Sequence, residues 1–257
     1  MIESLENKKV KNWTKLHQKK YRDEEYLLLD EKIINIAYQN GYLKTLIYVE
    51  DKPFDFVDAY EVSREVMNKI SKADGLRYIG IGKKIIQNDD YKNRVLILED
   101  LSDPLNIGRI FESAYLFGFD SIILSKNCAD IYHPKCIELS KGNLYRVNVF
   151  INDVDKEIYK LKEKGFKIYA TGLKDNTLSL KDVQEVDKMA IILGNEGSGV
   201  KEETVKISDE IIKIDMHNID SLNVAMAGAI IMYRFKRINE FKIDEDCLLP
   251  KEVLEKI

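Results

Sequence analysis

At 257 residues, 45% of them hydrophobic, the chain can bury a substantial core and is long enough for one large domain or two modest ones. No uninterrupted apolar run reaches the roughly 18 residues of a membrane span, and the opening MIESLENKKVKNW lacks an apolar signal-peptide segment, so a cytoplasmic protein outside the membrane is expected. A net charge of −4 does not announce a nucleic-acid binder, and the three scattered cysteines, Cys128, Cys136 and Cys247, argue for reduced thiols over a disulfide framework.

The first segment departs from that charge balance. Residues 7–22, NKKVKNWTKLHQKKYR, carry seven Lys or Arg and no acid, with Trp13, His17 and Tyr21 interleaved. Two readings are open: a solvated basic helix face, or cations and aromatic faces set out for phosphates and unstacked bases. EYLLLDEKIINIAYQNGY, from Glu25, has helical spacing; TLIYVE reads as a strand, AYEVSREVMNKISKADG as an amphipathic helix closed by Gly75, and RYIGIGKK as a strand. The polar QNDDYKN then breaks the pattern, placing a domain boundary near residue 92.

Alternation sharpens from residue 94: strand RVLILED, helix Asn106 to Phe117, strand SIILS, short helix Pro134 to Ser140, strand YRVNVFI, helix Asp153 to Lys164 and strand FKIYATG. Strand MAIILG, a short helix near Glu202, strand EIIKID and a helix from Leu222 to about Phe235 follow, and the tail DEDCLLPKEVLEKI suits one more short helix. The pattern is α/β: a mostly parallel sheet with helices on both faces over residues 93–257, preceded by a smaller α/β domain over residues 1–92.

Ligands in such sheets bind beyond the carboxyl ends of strands, which directs attention to EDLSDPLNIGR, GNEGSGV and DMHNIDSLN. Gly194, Gly197 and Gly199 fall within six positions although the chain has only 13 glycines, so this loop is either a tight turn or a ligand wall with exposed backbone. It fits neither nucleotide fingerprint. Ser221 suits an N-cap, leaving Asn223 as an amide in the first turn of an apolar helix, and Asn106 stands in the same relation to the helix after Pro104.

Taken in order, DPLNIGRIFESAYLFGFDSIIL, AIILGNEGSGV and IDMHNIDSLNVAMAGAIIMY resemble the three motifs of the SpoU/TrmH-type RNA ribose 2′-O-methyltransferases of the SPOUT superfamily, over about residues 94–237. KKYRDEEYLLLDEKI and EVSREVMNKIS are similar to the RNA-binding domain that precedes the catalytic domain in many members, although the usual Glu-Gly reads Leu29-Asp30. The resemblance implies a deep trefoil knot holding S-adenosylmethionine, a homodimer, an RNA substrate with rRNA favoured over tRNA, and no metal. It places Thr171, Gly172, Leu193, Gly194, Asn195, Gly197, Ile214, Met216, Ser221, Leu222 and Asn223 at the cofactor, and Asn106, Arg109, Glu112, Glu196, Ser221 and Asn223 at the catalytic centre.

Departures from the family pattern shape the expectation. The Arg normally six residues after the first motif's Asn is Glu112 here; Arg109 lies one helical turn earlier, where it can substitute, and a second basic position reads Glu138. The turn before Asp220-Ser221 is one residue short and lacks its usual Gly. These changes keep open a rival, an RNA-binding or assembly factor with little activity, and a weaker possibility, methylation of a base. Cys128, His133 and Cys136 lack a fourth ligand at matching spacing for zinc, and His133 reads as a helix-start residue near the RNA-facing side.

Overall fold

The computed structural model describes residues 1–56, 58–85, 90–173, 177–217 and 222–237, so the expected tail helix, Cys247 and Ser221 lie outside the described residues. Two sheets organise the chain. The first holds β1 (Glu25–Leu28), β2 (Leu43–Tyr48), β3 (Ala59–Glu61) and β4 (Tyr78–Lys83) in the order β1-β4-β2-β3, with α1 (Lys8–Lys15), α2 (Glu31–Gln39) and α3 (Arg64–Ser71) around it. Only β2 and β3 pair in parallel.

Two helices expected from spacing are shorter than predicted, for one reason. Asp30 is extended and its side chain accepts from the amide of Ile33, so α2 starts at Glu31 and the preceding EYLL is free to pair with β4. Ser63 caps α3 in the same way through Val66, leaving AYE as a strand beside β2. Tyr26, Leu27 and Leu28 are buried on alternate faces of β1, which a short apolar run cannot reveal by period alone.

The second sheet contains β5 (Arg94–Leu98), β6 (Ser121–Ser125), β7 (Asn148–Asn152), β8 (Lys167–Thr171), β9 (Leu178–Ser179), β10 (Met189–Leu193) and β11 (Glu210–Lys213). Its order is β7-β6-β5-β10-β8-β11-β9 and every pair is parallel. Interleaved are α4 (Pro104–Leu116), α5 (Pro134–Ser140), α6 (Val154–Glu163), α7 (Glu202–Lys206) and α8 (Val224–Arg234). One apolar cluster joins the sheet to α4, α5 and α8, and another joins its opposite face to α6, so both faces are covered as expected. The two-residue β9 is too short to carry a sequence signature.

Strand order runs outward from β5 through β6 to β7, while β10 heads the opposite half. Loops after β5 and β10 therefore diverge from adjacent strand ends and open a crevice.

The two sheets share a core. Tyr26 stacks on Tyr132 with centroids 4.5 Å apart, Tyr42 stacks on Tyr145 at 5.4 Å, and the Tyr26 hydroxyl donates to that of Tyr145 at 3.0 Å. Burial pushes the Tyr132 hydroxyl up to about 12, so it stays protonated while accepting from the amide of Ile85. Beside this cluster the buried Arg22 donates from Nε and Nη2 to Asp130 Oδ2, both at 2.8 Å, and from Nη1 to the carbonyls of Leu16 and His17.

Candidate active site

The crevice is built from the end of β5. Glu99 is buried; its carboxylate accepts from the Lys201 amide at 2.8 Å and the Thr204 hydroxyl at 2.6 Å, tying β5 to the start of α7. Asp100 takes a left-handed φ of 56° and turns the chain. Burial raises the Asp100 pKa, but Lys201, Ser125 and Asn127 outweigh it and hold the carboxyl below its ordinary value. The Asp100 carbonyl accepts from Asn195 Nδ2 at 2.8 Å, so the loop after β5 grips the loop after β10.

Glu196 completes that grip. Its Oε1 accepts from Asn106 Nδ2 at 3.1 Å and the Asp103 amide at 3.3 Å; Oε2 accepts from the Ser102 amide at 3.2 Å and hydroxyl at 3.0 Å. Burial pushes its pKa up, yet these donors, Asn106 foremost, bring it below the ordinary value. Asn106 Oδ1 in turn accepts from Asn223 Nδ2 at 3.0 Å, while Asn223 Oδ1 caps α8 by accepting from Ala225 and Met226. A chain of amides and a carboxylate thus runs from α8 through α4 to the glycine-rich loop, joining all three motifs.

Below this chain lies a cavity of 360 Å³. Of the expected cofactor residues, Thr171, Gly172, Leu193, Gly194, Asn195, Gly197, Ile214, Met216 and Leu222 line it, together with Glu196; Asn223 stands outside the lining. The glycines divide by physical need. A Cβ on Gly194 would sit 2.2 Å from Gly199 C and Val200 N, and Gly199 holds a φ of 72°, whereas at Gly197 the nearest atom would be 3.5 Å away. Asn195 and Gly199 exchange backbone hydrogen bonds, closing the loop between them.

Arg109 is exposed and Glu112 half-buried on the outward side of α4; neither joins the network nor makes a side-chain hydrogen bond or ion pair among the described residues. Glu138 pairs with Lys135 at 2.9 Å on α5, and His133 Nδ1 caps that helix by accepting from the Lys135 amide. Burial, with Arg22 nearby, lowers the His133 pKa. Cys128 Sγ donates to the Leu98 carbonyl and Cys136 is buried.

The basic segment needs correction. Trp13 is buried against α3 and Tyr60, and His17 Nε2 meets the Ile70 carbonyl at 2.7 Å, so only Tyr21 of the three interleaved rings is exposed. The apolar face of the eight-residue α1 claimed Trp13, and the Ile70 carbonyl claimed His17 just beyond it.

Sequence reasoning also missed Glu99, Asp100, Ser102 and Lys201, which hold the loops without lining the cavity. The available signal was two acids ending a fully buried strand, a place where a carboxylate must find donors.

A sequence model of the SpoU rRNA Methylase family matches residues 93–233. The chain belongs to that family. A second model, for an MRM3-like substrate binding domain, matches residues 7–75. The 23S rRNA (guanosine(2553)-2′-O)-methyltransferase RlmP of Bacillus subtilis is 27% identical over 248 residues, 91% of this chain and 98% of that protein. An uncharacterized tRNA/rRNA methyltransferase of Borreliella burgdorferi is 31% identical over 224 residues, 79% of this chain and 98% of that protein. The AdoMet-bound rRNA methyltransferase of Sinorhizobium meliloti superposes with a TM-score of 0.80 at 23% identity, over 91% of this chain and 95% of that one. This SpoU-family chain therefore shares the fold of that neighbour over both sheets, the second of which carries the SpoU match.

Proposed function

We propose that the chain transfers a methyl group from S-adenosylmethionine to a ribose 2′-hydroxyl of structured rRNA. The observation that carries this reading is the junction of all three motif loops over one cavity, in a SpoU-family chain similar to RlmP over nearly its whole length. The same observation favours an enzyme over a binding factor, since RNA binding alone needs no enclosed small-molecule site.

The cavity fits the methyl donor. Its volume lies within the roughly 300–1,000 Å³ of small-molecule sites, and Leu193, Ile214, Leu222 and Val224 offer apolar surface beside the backbone of residues 194–199. When bound, S-adenosylmethionine supplies an electrophilic methyl on a sulfonium. The chain's own task is to align an oxygen with it, so positioning carries much of the acceleration. Glu196 and Asn106 spend their hydrogen-bonding groups on each other and on neighbouring loops, which makes them positioning residues. Asn223 holds the start of α8 against Asn106. Arg109, exposed in the single chain, takes an RNA phosphate at the edge of the dimer face; Glu112, three residues on, accepts the 2′-hydroxyl proton in place of the usual arginine chemistry.

Residues 1–92 form the RNA-binding domain and residues 93–257 the methyltransferase domain, whose motif loops make the knot. The protein works as a cytoplasmic homodimer through α4 and α8, whose outward side exposes Leu116, Met226 and Tyr233 at about 60% each. Sedimentation showing only monomer at micromolar concentration would remove the dimer.

The test is calorimetric titration with S-adenosylmethionine and S-adenosylhomocysteine, followed by transfer of labelled methyl to rRNA. Micromolar binding and label that resists alkaline cleavage at one ribose are expected. No binding from folded protein would refute the enzyme, and label recovered in a base would refute the ribose target.

A further inference from the structure

The seven cations of residues 7–22 are not equivalent. Lys9 lies over the Tyr60 ring at 3.8 Å, Lys11 pairs with Glu6, and Arg22 is buried on Asp130. Lys15, Lys19 and Lys20 are exposed and form no ion pair among the described residues; the neighbouring Asp23 and Glu24 are exposed and pair with none of them.

Two of these cations, Lys15 and Lys20, gather at one aromatic ring. Tyr21 ends a short 3-10 turn, Lys19–Tyr21, and is 41% exposed. Lys15 Nζ is 5.5 Å and Lys20 Nζ 5.0 Å from its centroid. Both ammonium groups lie over the exposed ring, so a base stacking on Tyr21 would displace one of them onto its own flanking phosphate.

The turn is also fixed. The next residue, Arg22, spends its whole guanidinium on Asp130 and on the carbonyls that end α1. One residue before Asp130, Ala129 donates to the Leu101 carbonyl at 2.8 Å, and Ser102 donates to Glu196. A short run of contacts therefore links the Tyr21 turn to the catalytic crevice.

We propose that Tyr21 is a stacking platform for one unpaired RNA base whose flanking phosphates meet Lys15, Lys19 and Lys20, and that its rigid attachment through Arg22 sets which nucleotide reaches the cavity. This rests on the proposed RNA methyltransferase reading and assigns it a specificity site.

The test measures fluorescence anisotropy of a short labelled oligouridylate and of a blunt RNA duplex with the full chain, with S-adenosylmethionine titration of every variant alongside. Tyr21→Ala should weaken oligouridylate binding roughly 5- to 100-fold, Tyr21→Phe should stay within about twofold, and cofactor affinity should not move. Replacing Lys15, Lys19 and Lys20 together by Gln should flatten the salt slope by about two, at roughly 0.7 per phosphate on a single strand. The platform is overturned by a Tyr21→Ala variant that binds like wild type, by Tyr21→Phe as weak as Tyr21→Ala, by an unchanged slope, or by duplex binding as tight as the single strand. Competition by oligoglutamate as strong as by RNA would overturn it in favour of an acidic protein. If wild type ignores oligouridylate yet binds S-adenosylmethionine, the platform falls and the methyltransferase stands; if it binds neither, both fall.

Discussion

Replacing Glu196 with Gln isolates the carboxylate that joins the motif loops. In the native protein each of its oxygens meets donors only: Asn106 Nδ2 and the Asp103 amide on one side, the Ser102 amide and hydroxyl on the other. A glutamine must turn its own NH2 toward one pair. The Ser102 side is the better choice because the hydroxyl can rotate to accept, yet the Ser102 amide then loses its acceptor. Hydrogen bonds to a charge contribute about 1.5–3 kcal/mol and neutral ones about 0.5–1.5, so one lost bond and two weakened ones sum to about 3–4 kcal/mol. Water reaches this half-buried side chain and recovers part, leaving about 2 kcal/mol. At a few degrees per kcal/mol, the melting temperature should fall by about 4–6 °C. If the cavity wall depends on the same bonds, cofactor affinity should fall by up to roughly 30-fold.

The pH dependence gives an independent check. The folded pKa of Glu196 lies below its ordinary 4.5, so its stabilisation is complete above that value and is lost as pH falls through the folded pKa. The gap between wild type and Glu196→Gln should be full at neutral pH and narrow as the pH falls through the folded pKa, which lies below the ordinary value. Calorimetry with S-adenosylmethionine and melting curves across that range read both effects. Unchanged melting and affinity with methyl transfer abolished would refute the positioning role and make the carboxylate a participant in the reaction.

Gly194→Ala, whose Cβ would meet backbone atoms at 2.2 Å, should weaken cofactor binding by about tenfold or more, while Gly197→Ala stays within about twofold by the same titration. Arg22→Met leaves the half-buried Asp130 without its cation and should cost about 3–5 kcal/mol in denaturant unfolding; adding Asp130→Leu should recover part of it, and additive losses would mean the pair is not coupled. Glu112→Gln should lower the methyl-transfer rate by about a hundredfold without changing cofactor affinity; Glu112→Arg gaining activity would reassign the proton to an arginine.

The sequence by itself determined most of the second sheet. Runs such as VLIL and MAIIL are apolar throughout because parallel strands are buried on both faces, and the Asn-bearing loops that follow them point to the crevice. The cluster of Gly194, Gly197 and Gly199 leaves a tight turn and a ligand wall both open, and Asn195 comes only from the resemblance to the SpoU motifs.

Only the tertiary structure decided the rest. Whether EYLL is helix or strand depended on β4, distant in sequence, and on Asp30 capping the helix that follows. Trp13 and His17 were lost to RNA because α3 and β3 packed against them, leaving Tyr21 exposed. Glu196 became a strut when Ser102 and Asn106, more than 85 residues away, turned their donors onto it. Local pattern fixes period and caps, but a side chain's partners are chosen by chain closure over long separations, and closure alone tells a hydrogen-bonded strut from a group left free to react.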